Sequence, residues 1–479
     1  MKKFLKVLFF SGAAFTWVLV LAWLALGETF ERYVGERKAE VIGNVADRYI
    51  ASQSAQADPN QAVKTVAGLH HIEIEVDQPL PNVYRAKGVG NSFLIHTPDG
   101  NVLFDAGLGT QAAKQKRLLQ NAVEGPLTHI ILSHSHADHI GATKFWKSEF
   151  PGAKIITHRK FAEGQRYLKD LEQHFWNRNR LLYTFMPEVP PEADSLFAYG
   201  GITADIVVDD HSEYRFQIGG VEFVVLPTPG AEGDDNIVLW LPHSKALFSG
   251  DFFGPLFPML PNLFTLRGEK FRDPVAYINS LDRILELGVE MVLPSHFDPH
   301  SGGTVQADIQ LMRDATHSIH QQTIDGMNAG KSVWQLMQDV KLPDHLQVSQ
   351  GHGKVSWNVR SIWEYYSTWF KFESTTELYP VPVRTLYPEL VGLLGDADKL
   401  LLLAQEKLAQ GELEQALHLL EIADTDPEQN QTQLQNLLKL RLNVLQKMLA
   451  RAKQTGSNFS ETGWLDSRIR ATQTELSNQ

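Results

Sequence analysis

Short apolar runs, each ending in turn or polar residues, dominate the chain between residues 66 and 303. The clearest runs cover residues 102–104, 130–132, 221–226, 246–248 and 292–293. Short apolar runs bounded by turn residues are typical of buried β-strands. The polar residues that follow these runs can converge on one edge of a sheet, so we predict a domain with a buried β-sheet over residues 66–303.

The pattern becomes helical from residue 304 onward. A first helix is predicted to end near Gly330, and Pro380, Pro382 and Pro388 mark a turn-rich stretch before residue 396. In the tail, 396–479, leucines recur at helical spacing: Leu434, Leu438, Leu442, Leu445 and Leu449. Helix pairs of this kind resemble tetratricopeptide units, and one pair cannot bury its own apolar face well. We therefore expect this tail to pack on a second subunit, with a peptide-binding groove as the alternative.

The first 27 residues have the pattern of a targeting segment. Lys2, Lys3 and Lys6 precede an uncharged, mostly apolar stretch over 7–27. A helix of about twenty residues spans about 30 Å, enough to cross a bilayer, which favours an uncleaved signal anchor. The small-residue pattern at 25–27 favours a cleaved signal peptide instead. Either one places the remainder in a periplasmic or other extracytoplasmic space. Residues 28–65 are predicted to form a linker or helical stem.

The strongest chemical signal is the segment 134–139, which directly follows the apolar run 130–132. Residues two apart at a strand end point the same way, so His134 and His136 can bind one metal ion together. Asp138 and His139 lie on the following turn and can face a second ion. Gly141 gives the backbone room at this crowded turn. A polar loop with incidental histidines is the alternative, and we predict a dinuclear metal site.

The remaining ligands are expected at other strand ends. Asp105 follows the run 102–104 and is expected to accept the second N–H of a histidine ligand, the alternative being a loop cap. Downstream strand ends carry Glu232, Asp251 and His296. We assign His134, His136 and Glu232 to one zinc ion. Asp138, His139 and His296 are assigned to the other, and Asp251 would bridge the two.

With these residues in place, the chain resembles the metallo-β-lactamase fold, a four-layer αββα sandwich with a dinuclear site at the sheet edge. Thr228-Pro229-Gly230 is followed by Ala231 and Glu232, whereas the common pattern has a histidine after the glycine. A glutamate in this segment resembles the alkylsulfatase (SDS hydrolase) branch. The segments 262–268 and 271–274 are similar to that family's sulfate pocket. The resemblance also implies an all-α, tetratricopeptide-like dimerisation domain over residues 304–479, which includes the tail.

Two positions depart from the alkylsulfatase pattern. The bridging acid of that branch is typically a glutamate, and here the position holds the shorter Asp251. The family also has a histidine thought to face the sulfate, and here that position holds Trp357. His352, five residues earlier, is the candidate to replace that histidine at the substrate.

Composition narrows the choice of metal ligands and partners. The chain has 479 residues and no cysteine, so histidines and carboxylates must hold any zinc. A formal net charge of −12 makes a nucleic-acid partner improbable.

The resemblance and the ligand set together predict the chemistry. Two Zn²⁺ ions per chain would lower the pKa of a bridging water from 15.7 to about 7 and so provide a metal-bound hydroxide. Arginine binds planar oxyanions bidentately, so Arg267, with Asn262 and Thr265, is expected to hold an anionic head group. The alternative for Arg267 is a surface salt bridge with Glu269 or Asp273. The residues expected to be catalytic are Asp251, Arg267 and Asn262.

The predicted reaction is hydrolysis of a small anionic ester, an alkyl sulfate, to alcohol and sulfate. Hydrolysis of another ester, a phosphodiester or a lactam at the same site is a second hypothesis. A membrane-tethered interaction protein with a vestigial metal site is a third. Assays against each substrate class would separate them.

Overall fold

A computed structural model describes residues 28–55, 73–182, 186 and 201–479. The predicted signal anchor or signal peptide, residues 1–27, lies outside these residues. No helix within the described ranges is both long and apolar enough to cross a membrane. Two β-sheets with helices on their outer faces are followed by a helical region, as the apolar pattern predicted.

The first sheet has seven strands in sequential order. They are β1 (Val76–Leu80), β2 (Val83–Ala86), β3 (Ser92–Thr97), β4 (Gly100–Phe104), β5 (Leu127–Ile131), β6 (Lys154–His158) and β7 (Ile206–Val208). Strands β1 to β4 pair antiparallel, whereas β4 to β7 pair parallel. The helices between these strands are α2 (Gly109–Ala122), α3 (Ala137–Ile140), α4 (Thr143–Glu149), α5 (Phe161–Asp170) and α6 (Glu172–Leu182).

The second sheet has six strands, again in sequential order. They are β8 (Tyr214–Ile218), β9 (Val221–Pro227), β10 (Ile237–Leu241), β11 (Ala246–Gly250), β12 (Met291–Pro294) and β13 (His300–Ser301). Only the pair β11–β12 is parallel, and α7 (Pro274–Glu286) forms the crossover between these two strands.

Alternating side chains on each strand produce three apolar layers, because successive residues of a strand point to opposite faces. Phe104 of the first sheet and Phe248 of the second meet in the layer between the sheets, their ring centroids 5.6 Å apart. Leu103 points the other way, into the layer under α2. On the outer face of the second sheet, Leu247 packs with Leu281 of α7. Helices therefore cover both outer faces, which confirms the predicted αββα sandwich.

The region after the sheets is helical throughout. Its helices are α8 (Val305–Asn328), α9 (Val333–Asp339), α10 (Val355–Ser367), α11 (Tyr387–Leu394), α12 (Asp398–Gln410), α13 (Leu413–Ala423), α14 (Gln431–Gln454) and α15 (Phe459–Ser477). The end of α8 agrees with the helix end predicted near Gly330. The first half of α8, however, packs through Ile309 and Met312 into the outer layer of the second sheet. The predicted domain boundary at 303/304 therefore separates residues that share one core.

The segment 28–65, predicted to be a linker or helical stem, contains α1 (Glu28–Ala55). This helix contacts the sandwich, where Glu36 pairs with the buried Lys116 of α2 at 2.9 Å. One expectation needs correction. The leucine stripe predicted to contact a second subunit is covered by this chain itself. Leu438 packs with α12 and α13, and Leu445 and Leu449 pack against α15.

Candidate metal centre and anion pocket

Strand ends from both sheets place the candidate ligands together. The segment 134–139 follows β5, Asp251 follows β11, and His296 follows β12. Gly141 lies so close to the neighbouring loop that a Cβ atom there would be 2.4 Å from the backbone nitrogen of Gly109. This contact explains why a glycine follows the histidine segment.

One group of ligand atoms consists of Asp138, His139, Asp251 and His296, whose ligand atoms all lie within 4.8 Å of one another. The His139 Nε2 atom is 3.5 Å from Asp138 and 3.4 Å from Asp251. The His296 Nε2 atom is 3.1 Å from Asp251 and 3.6 Å from Asp138. This is the set predicted for one ion, with the predicted bridging acid in place.

The second group consists of His134, His136 and again Asp251. The His134 Nε2 and His136 Nδ1 atoms are 2.8 Å apart, so they face a common point. Asp251 belongs to both groups, and its carboxylate is therefore the only candidate bridge among the described clusters.

Asp105 has the orienting position that the sequence predicted. It is completely buried, and its Oδ2 atom is 2.9 Å from His139 Nδ1. The hydroxyls of Ser133 and Ser295 also donate to its Oδ2 atom, and the Ser133 backbone N–H donates to its Oδ1 atom. Asp105 has a φ of 55°, a left-handed conformation that aspartate adopts more readily than most residues. These contacts leave the Nε2 atom of His139 to face the candidate metal ligands.

The second nitrogens of two other histidines are fixed as well. The Ser133 hydroxyl is 3.0 Å from His134 Nδ1, and the carbonyl of Val89 is 2.5 Å from His296 Nδ1. The tautomers of these rings are thereby set by the protein rather than by the ion.

The electrostatics of the two groups differ. Burial lowers the pKa of His134 well below its ordinary value. Burial also acts to lower the pKa of His296, but the carboxylates of Asp251 and Asp138 outweigh it and raise that pKa to about 9. The same opposition raises the pKa of His139 well above its ordinary value, through Asp251, Asp138 and Asp105.

Two buried atoms of this centre lack any hydrogen-bond partner, namely His139 Nε2 and Asp251 Oδ1. Leaving buried polar atoms unpaired costs free energy unless another ligand satisfies them. Their neighbours are imidazoles and carboxylates, which are common ligands of Zn²⁺. The described residues therefore fit a metal centre at this position.

Glu232 does not belong to either group of ligand atoms. Its carboxylate accepts hydrogen bonds from Arg272 Nη1 and Nη2 at 3.0 and 2.9 Å, and from Arg267 Nη2 at 3.1 Å. His352 Nε2 lies 2.9 Å from its other side. Although burial alone would raise the pKa of Glu232, these neighbours hold it well below its ordinary value. The structure thus places Glu232 beside the ligands as an anchor for two arginines, whereas the sequence predicted a zinc ligand.

Two of the predicted substrate-binding residues, Arg267 and Thr265, are in contact, and a third, Asn262, contacts Arg272. Arg267 donates through its backbone N–H and Nε to the Thr265 hydroxyl, at 3.1 and 3.3 Å. The backbone carbonyl of Asn262 accepts from Arg272 Nη1 at 2.7 Å. Arg178 of α6 donates to the carbonyls of residues 266 and 267 and so holds this loop from outside.

His352, the predicted substitute for the family histidine, is buried against Glu232. Its ring stacks on Phe459 at the start of α15, with centroids 4.7 Å apart and planes at 17°. Asn458 donates to the backbone carbonyl of His352 at 2.8 Å. Trp357 lies half-buried with Lys354 over its ring, 5.6 Å from the centroid.

Sequence reasoning missed two charged residues of this pocket, Arg272 and Glu269. The Glu269 carboxylate is 2.8 Å from Arg272 Nη2, 3.4 Å from Arg267 Nη2 and 3.7 Å from His136 Nε2. Arg272 was quoted within the segment 271–274, so its proximity in sequence to Arg267 was an available signal. Glu269 was considered only as a salt-bridge partner of Arg267, a contact that the structure contains, and not as a residue of the site, because a glutamate in a charged loop ordinarily faces solvent.

The site opens to the surface through a small cleft. Its buried side is lined by His136, Glu232, Glu269 and Arg272, and Lys270 lies on the exposed side. The apolar stretch 252–260 begins with Phe252 and Phe253, and both pack in the core of the second sheet. These two rings are therefore part of a packed loop.

Two protein families match this chain. Residues 85–296 match the Metallo-beta-lactamase superfamily. Residues 333–455 match the Alkyl sulfatase dimerisation family. The first match contains every candidate metal ligand, and the second begins in α9.

Individual relatives agree with both matches. A linear primary-alkylsulfatase of Pseudomonas sp. is 27% identical over 360 residues, which cover 68% of this chain and 65% of the relative. The alkyl/aryl-sulfatase BDS1 of Saccharomyces cerevisiae is 23% identical over 69% of this chain and 54% of the relative. The matched part of the chain thus spans less than two thirds of the length of either protein.

A solved structure confirms the fold. The stereoselective inverting sec-alkylsulfatase Pisa1 from Pseudomonas sp. superposes with a TM-score of 0.69 at 21% identity. The match covers 86% of this chain and 67% of Pisa1.

Proposed function

We propose that this chain, which carries a metallo-beta-lactamase domain followed by an alkyl sulfatase dimerisation domain, is a metal-dependent hydrolase of alkyl sulfate esters. The observation that carries the proposal is Asp251, which is shared by two groups of candidate ligand atoms and lines one cavity with Glu232 and Arg272. Glu232 in turn accepts hydrogen bonds from Arg272 and Arg267. The alkylsulfatase names of the curated relatives support this substrate class.

In the proposed enzyme His134 and His136 would hold one zinc ion, and Asp138, His139 and His296 would hold the second. Asp251 would be shared by both. Two such ions, when bound, lower the pKa of a coordinated water and supply hydroxide at neutral pH. Asp105 and its two serines hold His139 in the orientation that this ligand set requires.

The chain's own contribution to substrate binding is the fixed guanidinium pair. Arg272 is almost completely buried and is fastened to Glu232 and to the carbonyl of Asn262. The Arg267 side chain is a quarter exposed, and its guanidinium contacts the same glutamate. A guanidinium presents a planar fork of donors that fits two oxygens of a sulfate group. We propose that Arg267, with Asn262 and Thr265 beside it, orients the head group next to the metal ligands.

The test is a substrate panel assayed together with metal analysis. Purified protein with its bound metal is assayed against medium-chain alkyl sulfates, aryl sulfates, phosphodiesters, uncharged esters and a chromogenic lactam. The expected result is release of alcohol and sulfate from the alkyl sulfates, lost on chelation and restored by Zn²⁺. Turnover of uncharged esters alone would exclude the alkylsulfatase assignment. Absence of all turnover in metal-loaded protein would favour the vestigial-site hypothesis.

We further propose that the protein forms a homodimer and acts in a periplasmic or other extracytoplasmic space. The dimerisation-family match at residues 333–455 supports the first part. The lysines and the apolar stretch within residues 1–27 support the second. Fractionation of cells, with detection of the native chain in the periplasmic and membrane fractions, tests the location.

A further inference from the structure

The charged groups of the anion pocket form a closed ring. Arg272 Nη2 contacts Glu232 at 2.9 Å and Glu269 at 2.8 Å. Arg267 Nη2 contacts the same two glutamates at 3.1 and 3.4 Å. Two positive and two negative side chains therefore alternate, and the formal charge of the ring is zero.

The two glutamates of this ring have different environments. Glu232 is almost completely buried and also contacts His352, so it is enclosed within the protein. Glu269 lines the open cleft, and its Oε1 atom lies 3.7 Å from the candidate metal ligand His136. The carboxylate of Glu269 thus lies between the exposed guanidinium and a metal ligand, beside the place proposed for the head group.

From this arrangement we propose that Glu269 is a specificity-determining residue, which restricts the pocket to singly charged head groups and disfavours doubly charged ones. The inference rests on the proposed function and deepens it. A sulfate monoester carries one negative charge, whereas a phosphate monoester carries nearly two above its second pKa of about 6. Bound metal ions would attract both head groups, whereas the Glu269 carboxylate repels the second charge of a phosphate in addition to the first, so the presence of Glu269 shifts the affinity ratio toward the sulfate. Like charges a few ångströms apart in a partly buried site repel strongly.

The experiment compares octyl sulfate with octyl phosphate, two ligands with the same chain and different head-group charge. Metal-loaded parent protein, E269Q and E163Q are compared at pH 8.5, below the micellar range. The affinity for octyl phosphate is measured by calorimetry. The affinity for octyl sulfate is measured by calorimetry in a protein that does not hydrolyse it, and as its KM from initial rates in one that does. Glu163 is a matched control, because it is an exposed carboxylate that pairs with Lys270 at 2.7 Å in the same cleft but lies outside the ring. Metal content is measured in all three proteins, so that loss of the metal ion held by His136 can be distinguished from a change in affinity for the octyl ligands.

We expect E269Q to bind octyl phosphate about tenfold more tightly than the parent, the change expected from removing one nearby charge. The affinity of E269Q for octyl sulfate should rise by a smaller factor. E163Q should change the affinity for either ligand by less than about twofold, because the charge of Glu163 is screened by solvent. The inference is overturned if E269Q binds both ligands more weakly than the parent does, or if the ratio of the two affinities is the same in both proteins. If E269Q does not fold, E269A is judged by the same ratio.

Binding, rather than turnover, is the readout, so the result can be separated from that of the proposed function. If the parent binds octyl sulfate but does not hydrolyse it, the proposed alkylsulfatase activity is wrong. The charge selectivity is then still judged by comparing the ratio of the two affinities in E269Q and in the parent. If the parent hydrolyses octyl sulfate but the ratio of the two affinities is the same in E269Q and in the parent, the proposed function stands and only the role of Glu269 is wrong.

Discussion

At the scale of single residues, Asp251 and Asp105 have different tasks that their surroundings assign. Asp251 contacts ligand atoms of both metal groups, while Asp105 contacts one ligand and two serines behind it. Both are buried carboxylates at strand ends. Because both residues are aspartates, their different roles follow from where each carboxylate lies. Asp251 lies among the candidate ligand atoms, whereas Asp105 lies behind one of the histidines.

The shared position of Asp251 predicts how metal content responds to substitution. The parent should carry about two ions per chain. His136→Ala should lower the content by about one ion, because it belongs to one group only, whereas Asp251→Ala should lower the occupancy of both sites. Elemental analysis after gel filtration measures this, with Glu163→Gln as the control. Retention of two ions by Asp251→Ala would contradict a bridging role.

Asp105→Asn should weaken metal binding while leaving the fold intact. Asparagine tolerates the positive φ at this position, but it replaces a charged acceptor that His139, Ser133 and Ser295 share. We expect metal affinity to fall about 10- to 100-fold, measured by competition with a chelator. Asp105→Ala should in addition destabilise the protein by about 2–4 kcal/mol, because buried donors lose their acceptor. Unchanged chelator competition in Asp105→Asn would argue for a purely structural loop cap.

Arg267 provides the residue-scale test of head-group binding. Arg267→Ala should cost about 2–5 kcal/mol in kcat/KM for an alkyl sulfate, the usual loss when a buried ion pair loses one partner. Arg267→Lys should recover little, because a point charge does not reproduce a bidentate fork. Metal content should stay at the parent level in both variants. An Arg267→Ala enzyme as active as the parent would show that the sulfate is held elsewhere.

At the scale of elements, the last helix contributes to a site that lies in the first domain. Residues 456–479 follow the matched dimerisation region, yet Phe459 N donates to Gly351 and the Phe459 ring covers His352. The same helix, α15, packs on α6, whose Arg178 holds the loop that carries Arg267. The C-terminal helix therefore supports the anion pocket from two directions.

Phe459→Ala should therefore impair the proposed enzyme through substrate binding. Without the ring, His352 loses its stacking partner and Glu232 loses a fixed donor, so we expect KM for an alkyl sulfate to rise more than kcat falls. Trp464→Ala is the matched control, since Trp464 is an aromatic of the same helix that is 40% exposed and packs over Arg468. Thermal unfolding of both variants separates a local effect from general destabilisation. If Phe459→Ala and Trp464→Ala change KM and kcat to the same extent, Phe459 has no specific positioning role.

At the scale of the whole molecule, exposed apolar side chains concentrate in residues 365–403. This stretch includes Trp369 at 64%, Phe372 at 86% and Leu393 at 85% exposure. Large exposed apolar patches mark interaction surfaces in soluble proteins. Most of the stretch precedes the tail 396–479 that the leucine pattern had suggested, and it lies within the matched dimerisation region.

We predict that this surface forms the homodimer. Phe372→Asp combined with Leu393→Asp should convert a dimer to a monomer, because the substitutions place charges in an apolar interface. Val207→Asp is the control, an exposed apolar residue of β7 outside the surface. Light scattering at micromolar concentration measures the mass of each protein. A parent that is monomeric there, or a double variant that remains dimeric, would contradict the prediction.

The sequence by itself predicted the strands β4, β5, β9, β11 and β12, the histidine segment that follows β5, and the grouping of candidate ligands at strand ends. These features depend on local periodicity and on spacing within a few residues, so they can be recognised in the sequence alone. It also identified Asp105, Asp251 and His296, because a strand end in a layered α/β fold points toward one edge.

Only the tertiary structure decided which partners the remaining side chains take. Glu232 turns toward Arg272 and His352, residues 40 and 120 positions away, and Glu269 closes a charge ring with them. Likewise, the leucines of α14 are covered by helices of the same chain, while the exposed apolar surface lies elsewhere. Such pairings depend on distances between segments remote in sequence, and these distances exist only once the sheets and helices have packed.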